Sequence, residues 1–335
     1  MKALIIGGTG TISSAVVRRL LEKKWEVYAL NRGNKPLPEG TISITADIND
    51  EELVKEKLGD MRFDAVCEFI GFVPEHIERD YRLFGGRTAQ YIYISSASAY
   101  HKPAGSYIVN EGTALANPFW QYSRDKIACE ELLMKLYREN GFPITIVRPS
   151  HTYGENNIPI GVRGKNGFWQ VIKRIKEEKP VIIQGDGTSL WTLTFNTDFA
   201  AGFAGLMANP HAIGEAFQIT SDETLSWNQI YETIARTLGV ELHPYHVASD
   251  LLAAVGSEYD FEGSLTGDKS VSVVFDNSKL KRIVPDYCPK VSFAEGARLA
   301  LDNILARPEL QRDDPEFDAW CDRVINALEA AKRQI

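Results

Sequence analysis

The sequence predicts an α/β fold built on a doubly wound parallel sheet, followed by a smaller second domain. Three observations predict it. Short apolar runs alternate with helical patterns through the first 150 residues, and a glycine-rich turn directly follows the first run. The chain has 335 residues, long for one domain, and the alternation stops after Pro149. Strand, helix and strand in repeated order are typical of parallel sheets with right-handed crossovers.

Strands are expected where β-branched or aromatic residues form short uninterrupted runs, because strands buried on both faces carry few polar residues. These runs are residues 2–6, 26–30, 42–45, 64–69, 90–95 and 144–147. A helix is predicted between the first two runs, since Ile12, Val16 and Leu20 recur at helical spacing. A longer helical pattern covers residues 122–139.

Beyond residue 153 the elements become more irregular. Residues 154–167 and 256–270 are predicted to be loops. Helices are expected at 168–178, 197–207 and 227–238, and strands at 181–184 and 217–220. We assign residues 1–153 and about 194–222 to the domain that contains the sheet. Residues 154–193 and 223–335, with approximate bounds, form the smaller domain.

The charge balance argues against nucleic acid as a partner. There are 37 Lys and Arg residues against 45 Asp and Glu, a net charge of −8. The basic cluster at residues 173–179 is expected to be a solvated helix face. The histidines are scattered and the cysteines lack paired spacing, so no metal site is predicted. No apolar run approaches a membrane span of about 20 residues, and no signal peptide is evident, so we expect a cytoplasmic protein.

A segment typical of dinucleotide sites, Gly7-Gly8-Thr9-Gly10-Thr11-Ile12-Ser13, joins the first strand to the first helix. Glycines let the backbone approach a pyrophosphate, and the N–H groups at the start of a helix bind it. The predicted phosphate-binding residues are Gly7, Gly10, Thr11 and Ile12. Ser13 stands at the position of the usual third glycine and is small enough for close helix–strand packing.

The end of the second strand distinguishes the two nicotinamide cofactors. NAD sites usually place a carboxylate there for the ribose 2′-OH, whereas NADP sites offer a cation to the 2′-phosphate. This chain has Asn31 and Arg32 and no acid, so NADP is favoured over NAD. Alternatively, Arg32 is solvated and NAD is bound. Asp47, after the third strand, is a candidate acceptor for the adenine amino group or else a turn or helix-cap residue.

A tyrosine and a lysine lie four residues apart on the predicted long helix, as Tyr122-Ser123-Arg124-Asp125-Lys126. This spacing places the phenol and the ammonium on one face. A phenol has a pKa of about 10, and a nearby cation favours the phenolate. Tyr122 can then exchange a proton with a substrate oxygen while hydride moves to or from nicotinamide. A serine-rich strand end at residues 95–98 offers a hydroxyl to the same oxygen.

Taken together, these motifs resemble the extended short-chain dehydrogenase/reductases, the branch that contains NAD-dependent nucleotide-sugar epimerases and dehydratases. The resemblance covers nearly the whole chain. Its later elements are Arg148-Pro149-Ser150-His151-Thr152-Tyr153-Gly154, Gly185-Asp186-Gly187, Thr197-Asp198-Phe199-Ala200 and Phe275-Asp276-Asn277-Ser278-Lys279. It implies a Rossmann-type sheet domain, a smaller C-terminal substrate-binding domain and often a homodimer.

The resemblance also implies roles for individual residues. Tyr122 would be the general acid/base, and Lys126 would tune it and bind the cofactor ribose. Ser96 would be the hydroxyl partner of the substrate oxygen. The backbone near Pro149 would contact nicotinamide. The substrate would be a secondary alcohol or ketone of a sugar or sugar nucleotide.

Four further positions depart from the family pattern. The 4,6-dehydratases carry Asp-Glu where this chain has Ala97 and Ser98, so we exclude that reaction. An arginine that grips the diphosphate is replaced by Trp191, which either stacks on a sugar ring or belongs to the core. His151 stands where Asn is common and either donates to a substrate hydroxyl or is structurally satisfied. Ser98, His151 and Trp191 are the candidate substrate-binding residues.

Residues 150–154 and 189–194 are also similar to the chloroplast stem-loop-binding branch, whose members keep the fold without needing the chemistry. An NAD(P)-sensing or RNA-binding protein is therefore the alternative. The acidic net charge argues against RNA, and the complete set of Ser96, Tyr122 and Lys126 argues for an enzyme. We predict an NAD(P)-dependent epimerase or dehydrogenase acting on a small sugar-like molecule, without a nucleic-acid or membrane partner.

Overall fold

The computed structural model describes residues 1–103 and 105–335, which divide into two compact units. Unit 1 comprises Met1–Thr152, Thr194–Asp222 and Phe275–Lys290. Unit 2 comprises Tyr153–Leu193, Glu223–Val274 and Val291–Ile335.

The segment Phe275–Lys290 differs from the sequence prediction, which places it in the smaller domain. Asn277 Nδ2 donates to the carbonyl oxygen of Thr220 at 2.9 Å, and Gln218 Nε2 donates to that of Asp276 at 2.7 Å. These bonds connect the segment to the end of the strand at Glu215–Ile219. No local sequence pattern predicts them.

The strands are β1 (Lys2–Ile6), β2 (Glu26–Asn31), β3 (Ile42–Thr45), β4 (Ala65–Glu68), β5 (Tyr91–Ile94), β6 (Ile108–Val109), β7 (Ile144–Pro149), β8 (His151–Tyr153), β9 (Val181–Gln184), β10 (Leu190–Trp191), β11 (Leu193–Phe195), β12 (Glu215–Ile219), β13 (Leu225–Ser226), β14 (Pro244–Val247) and β15 (Val274–Phe275). The α-helices are α1 (Thr11–Glu22), α2 (Glu51–Leu58), α3 (Pro74–Phe84), α4 (Gln121–Asn140), α5 (Trp169–Lys176), α6 (Asn196–Leu206), α7 (Trp227–Leu238), α8 (Ser249–Val255), α9 (Ser278–Ile283), α10 (Phe293–Ala306) and α11 (Pro315–Lys332).

Unit 1 contains a parallel sheet of seven strands in the order β12-β7-β5-β4-β1-β2-β3. The interior strand β1 is buried on both faces because Ala3, Leu4, Ile5 and Ile6 are apolar throughout. One core includes residues of α1 and α6, and the other includes residues of α2, α3 and α4. This arrangement confirms the predicted doubly wound α/β fold.

Unit 2 pairs β9 with β14 in parallel and β10 with β13 in antiparallel orientation. Residues 256–270, expected to be a loop, include a π-helix at Glu262–Lys269. Phe261 and Leu265 are buried there, and the Phe261 ring lies 5.6 Å from Trp320 on α11. Burial of these apolar side chains stabilises helical structure despite the weak local propensity of glycine.

Arg174 on α5 also departs from the expectation of a solvated basic face. Its side chain is 1% exposed and donates to Asp318 Oδ1 at 2.7 Å and to Asp322 Oδ1 at 2.8 Å. The two acceptors lie on α11, more than 140 residues further along the chain. Among the described residues, no helix is long and apolar enough to span a membrane.

Candidate functional site

The turn between β1 and α1 requires glycine at its first position. Gly7 has φ +83°, a left-handed conformation that glycine adopts at little cost. A Cβ added to Gly7 would lie 2.5 Å from Ile70 Cγ2, which is closer than van der Waals contact allows. Because Gly7 has no side chain, the loop after β4 can pack directly against the turn.

Ser13 explains how the turn functions without a third glycine. Its side chain is buried, and its Oγ accepts from the Gly10 N–H at 2.9 Å and donates to the Gly7 carbonyl oxygen at 2.6 Å. The hydroxyl thus holds the turn at the start of α1. No acidic side chain occupies the first turn of α1, so the positive end of the helix dipole is not neutralised there.

This turn forms one side of a cavity of about 780 Å³ within unit 1, which we call the cofactor cavity. The sequence-predicted residues that line it are Gly7, Gly10, Thr11, Ile12, Asn31, Arg32 and Asp47. Lys35, Asn49, Ile70, Phe72 and His76 line it as well and were not predicted. The structure therefore brings the ends of β1, β2, β3 and β4 together around one space, as expected for parallel strands.

The end of β2 presents hydrogen-bond donors to this cavity. Asn31 Oδ1 accepts from the Gly33 N–H at 2.7 Å, while Asn31 Nδ2 is buried without an acceptor among the described residues. Arg32 and the unpredicted Lys35 are exposed nearby. Asp47 Oδ1 accepts from the Asn49 N–H at 2.9 Å, so it has the predicted turn role while also lining the cavity.

Lys126 is buried on α4, with 2% of its surface exposed. Its Nζ donates to the carbonyl oxygens of Gly71 and Ile94, both at 2.7 Å. The ammonium also lies 4.9 Å from the ring centroid of Phe72. Burial lowers the pKa of Lys126 to about 8, against the opposing effect of nearby acidic groups. At pH 7 the group is still mostly protonated and supplies a localised positive charge.

Tyr122 lies one turn before Lys126 on α4 and is half-buried. Its ring centroid is 5.8 Å from Lys126 Nζ. Its ring is also 5.0 Å from Trp120 and 6.5 Å from Phe72, centroid to centroid. The ring is therefore held among aromatic side chains, near the Lys126 ammonium.

The serine-rich strand end forms a chain of hydroxyl groups. Ser96 Oγ lies 2.9 Å from Ser98 Oγ, and Ser123 Oγ donates to Ser98 Oγ at 2.7 Å. Ser96 is half-buried, whereas Ser98 and Ser123 are buried. Ser98, predicted to bind substrate, is thus buried and already hydrogen bonded to Ser96 and Ser123. Ser123, which follows Tyr122, was not predicted.

Asn117 was also missed, although it connects the serine-rich loop to the start of α4. Its Nδ2 donates to the Ser98 carbonyl oxygen at 2.9 Å, and its Oδ1 accepts from the Trp120 N–H at 3.1 Å. It therefore fixes the segment that leads into Tyr122. The Asn-Pro pair just before a helix was the available signal, since asparagine commonly bonds the backbone ahead of it.

The other predicted residues are distributed over both units. Pro149 is buried at the end of β7, beside β12. His151 is half-buried in β8, and its neighbour Thr152 lines the cofactor cavity. Trp191 is 4% exposed in unit 2, with its ring 6.0 Å from Trp227. The structure favours the core interpretation of Trp191, because a ring without an exposed face cannot stack on a substrate.

The residues of the cofactor cavity fit a nicotinamide dinucleotide. The glycine turn admits a pyrophosphate, the start of α1 carries no acid, and Asn31 Nδ2 needs an acceptor. Among the described residues, no cluster of three His, Cys, Asp or Glu side chains is placed to hold a metal ion.

Fold and site define a dinucleotide-binding α/β protein. The chain belongs to the NAD dependent epimerase/dehydratase family, whose family model matches residues 3–220. The predicted membership in the extended short-chain dehydrogenase/reductases is thereby confirmed.

Relatives with curated descriptions include both kinds of protein considered above. The chain is 26% identical to 2′-dehydrokanamycin reductase of Streptomyces kanamyceticus over 289 residues, 86% of this chain and 80% of the relative. It is 25% identical over 254 residues to the chloroplast stem-loop binding protein of 41 kDa b of Arabidopsis thaliana. That match covers 71% of this chain and 63% of the relative.

The fold is also that of solved epimerases. UDP-glucuronic acid 4-epimerase from Bacillus cereus, in complex with UDP-glucuronic acid and NAD, matches with a TM-score of 0.71. The match covers 91% of this chain and 99% of the epimerase, at 21% sequence identity. At this identity the likeness concerns the fold alone.

Proposed function

We propose that this protein is an NADP-dependent oxidoreductase or epimerase that acts on a secondary alcohol or ketone of a sugar-like substrate. The observation that carries the proposal is the group formed by Tyr122 and the buried Lys126, whose ammonium lies 5.8 Å from the Tyr122 ring centroid. Through Phe72 and Ile94, which Lys126 contacts, this group adjoins a glycine-lined cavity that fits a dinucleotide.

The cofactor is held by the glycine turn, the start of α1 and the end of β2. Backbone N–H groups at Thr11 and Ile12 bind its phosphates. Asn31 Nδ2 donates to the ribose, while Arg32 and Lys35 bind the 2′-phosphate of NADP. When bound, the nicotinamide supplies the hydride acceptor or donor.

Tyr122 takes the proton from a substrate hydroxyl during oxidation and returns it to the carbonyl oxygen during reduction. The positive charge of Lys126 favours the phenolate, which lowers the cost of proton removal at neutral pH. Two of the three Lys126 N–H donors bind the carbonyl oxygens of Gly71 and Ile94, which leaves one for a cofactor hydroxyl.

Ser96 donates to the same substrate oxygen and so orients it towards Tyr122. Ser98 and Ser123 stand behind Ser96 as a hydrogen-bonded chain, which favours one rotamer of the Ser96 hydroxyl. We therefore assign Ser98 a positioning role in place of direct substrate contact. His151 stays a candidate for substrate binding.

The substrate class is a sugar or a glycoside. The relative described as 2′-dehydrokanamycin reductase, which matches 86% of this chain, supports it. Dehydration at the 4,6-positions is excluded in this proposal because Ala97 and Ser98 supply no carboxyl group. Net reduction is favoured over epimerisation, since NADP-dependent enzymes usually exchange their cofactor. The cytoplasmic location and the homodimer stay predictions from the sequence.

Thermal unfolding of cofactor-stripped protein with NAD⁺, NADP⁺ or no addition tests the proposal. A ligand that binds only the folded state raises the unfolding midpoint. At a hundredfold excess over Kd, it adds about 2.7 kcal/mol to the free energy of unfolding. We expect NADP⁺ to raise it more than NAD⁺. A larger effect of NAD⁺ would overturn the assignment of Arg32 and favour an epimerase. No effect of either would favour the RNA-binding alternative.

A further inference from the structure

Two acidic side chains and one arginine are buried together beside the loops that line the cofactor cavity. Glu68 ends β4, while Arg79 and Asp80 lie on α3. The side chains of Glu68 and Asp80 are fully buried and that of Arg79 is 6% exposed. We call these three residues the Glu68 cluster. Neither the sequence motifs nor the proposed chemistry assigns it a role.

Arg79 connects this cluster to the loop after β3. Its Nε donates to Asp80 Oδ1 at 2.9 Å, and its Nη2 lies 3.3 Å from Glu68 Oε2. Its Nη1 donates to Asn49 Oδ1 at 2.8 Å. Asn49 lines the cofactor cavity, and its N–H donates to Asp47. A buried guanidinium thus fixes the segment predicted to meet the adenine.

Glu68 holds the loop after β4, residues 69–72. Its Oε1 accepts from the Ile70 N–H. A Cβ added to Gly71 would lie 3.0 Å from Glu68 Cγ, so this loop packs directly on the Glu68 side chain. The Gly71 carbonyl oxygen accepts in turn from Lys126 Nζ at 2.7 Å. One carboxyl group therefore supports both a wall of the cavity and an acceptor of the lysine.

Within the cluster itself, the charges balance only if one carboxyl group is protonated; Lys126 is a further cation that acts on Glu68 from outside the cluster. Arg79 is the single cation of the cluster, and Tyr91 donates its hydroxyl to Asp80 Oδ2 at 2.6 Å. Two buried carboxylates beside one guanidinium would leave a negative charge uncompensated, which is costly. Burial and the neighbouring Asp80 raise the pKa of Glu68 well above its usual range.

We propose that Glu68, Arg79 and Asp80 are positioning residues of the cofactor site, with Glu68 as a neutral acid that donates to the Asp80 carboxylate. The cluster holds Asn49 and residues 69–72 in the conformation that the dinucleotide requires. It contacts neither the cofactor nor the reacting atoms. The inference rests on the proposed function, since it assumes that a nicotinamide dinucleotide fills the cavity.

The test compares Glu68→Gln with Glu68→Leu. An amide donates to Asp80 and accepts from the Ile70 N–H as a neutral acid does, but its NH₂ group cannot accept from Arg79 as Glu68 Oε2 does. Leucine makes none of these bonds. Isothermal titration with NADP⁺ should show Glu68→Gln within about threefold of the wild type and Glu68→Leu weakened by about tenfold or more, since losing one or two hydrogen bonds costs about this much. Hydrogen exchange without cofactor should be faster at residues 69–72 in Glu68→Leu alone.

Arg174→Met is the matched control, because Arg174 is an equally buried, ion-paired arginine of unit 2. It should leave both NADP⁺ affinity and exchange at residues 69–72 unchanged. If Glu68→Leu does not fold, Asn49→Ala keeps the inference testable. That variant breaks the exposed end of the cluster and should speed exchange at residues 46–49 without cofactor.

Two results would overturn the inference. One is a Glu68→Leu or Asn49→Ala protein with wild-type exchange at its loop. The other is a Glu68→Gln protein as weak as Glu68→Leu, which would show that an ionised carboxylate is required. If the wild type binds neither NADP⁺ nor NAD⁺, the proposed function is wrong. The exchange comparison without cofactor still decides whether the Glu68 cluster holds the two loops.

Discussion

Two cavities of unit 1 have nearly equal volume but different chemistry. The cofactor cavity encloses about 780 Å³, and the second cavity encloses about 760 Å³. The second cavity is lined by residues of α4, β7, β12 and α9, and it shares none of the described lining residues with the first. Volume alone therefore does not identify the site.

The two cavities differ in how their polar groups are satisfied. In the second cavity the buried Arg148 Nε donates to the buried Glu130 Oε1 at 3.0 Å. In the cofactor cavity Asn31 Nδ2 has no acceptor among the described residues. Buried polar groups that the protein already satisfies have little to offer a ligand, whereas a donor without a partner is stabilised by one.

The largest effect should come from removing the reacting hydroxyl next to the cofactor cavity. Tyr122→Phe keeps the ring packing against Trp120 but cannot exchange a proton. We expect turnover of any confirmed substrate to fall by roughly 10³-fold, typical of a lost general acid/base. The Kd for NADP⁺, measured by titration, should be unchanged. Normal turnover by this variant would show that the mechanism is wrong.

In the second cavity we expect a large loss of stability with little change in cofactor binding. Arg148→Met leaves Glu130 as a buried, unpaired carboxylate and should lower the free energy of unfolding by about 3–5 kcal/mol. Urea denaturation measures this loss. NADP⁺ affinity should stay within about twofold, a change of less than 0.5 kcal/mol. A parallel loss of NADP⁺ affinity would mean that the two cavities are coupled.

The glycine turn allows a matched comparison of two left-handed glycines. Gly7 and Gly86 have φ values of +83° and +76°. A Cβ at Gly86 has no neighbour within 4 Å, whereas one at Gly7 meets Ile70. Both Gly→Ala variants should lose about 1–2 kcal/mol of stability from backbone strain. Only Gly7→Ala should also lose cofactor affinity, by about a hundredfold, or 2.7 kcal/mol.

Lys126, where we propose catalysis, should lower the stability of the fold at neutral pH. Because burial lowers its pKa from 10.5 to about 8, its charge destabilises the fold below pH 8. This penalty disappears as the pH rises through 10.5. Relative to Lys126→Met, the wild type should therefore gain roughly 2–3 kcal/mol of stability between pH 7 and pH 10. Denaturation at both pH values measures it; a constant difference would contradict it.

The smallest effect concerns the exposed cations at the end of β2. Arg32→Ser and Lys35→Ser should each weaken NADP⁺ binding by about tenfold, since an exposed charge-assisted bond contributes about 1.4 kcal/mol. NAD⁺ binding should not change, because it carries no 2′-phosphate. Titration of both nucleotides separates these outcomes. An equal loss for NAD⁺ would indicate that the two residues bind the shared part of the dinucleotide.

Local sequence was sufficient to predict the elements and motifs that depend on neighbouring residues alone. The runs at residues 2–6, 42–45 and 181–184 are strands with these same bounds, and residues 227–238 form a helix as predicted. The glycine turn could be predicted because its backbone conformation depends on glycine itself. The four-residue spacing of Tyr122 and Lys126 needed only the period of a helix.

Only the tertiary structure decided which polar groups meet. Arg79 bonds to Asn49 across 30 residues, and Ser98 accepts from Ser123 across 25. Burial of Arg174 depends on acceptors that α11 supplies from a distant part of the chain. The sequence by itself therefore determined the strands of the seven-stranded sheet, the glycine turn and the chemical groups of the site. Packing between segments far apart in sequence decides which of these groups are paired, buried or left for a ligand. Local sequence patterns do not contain this information.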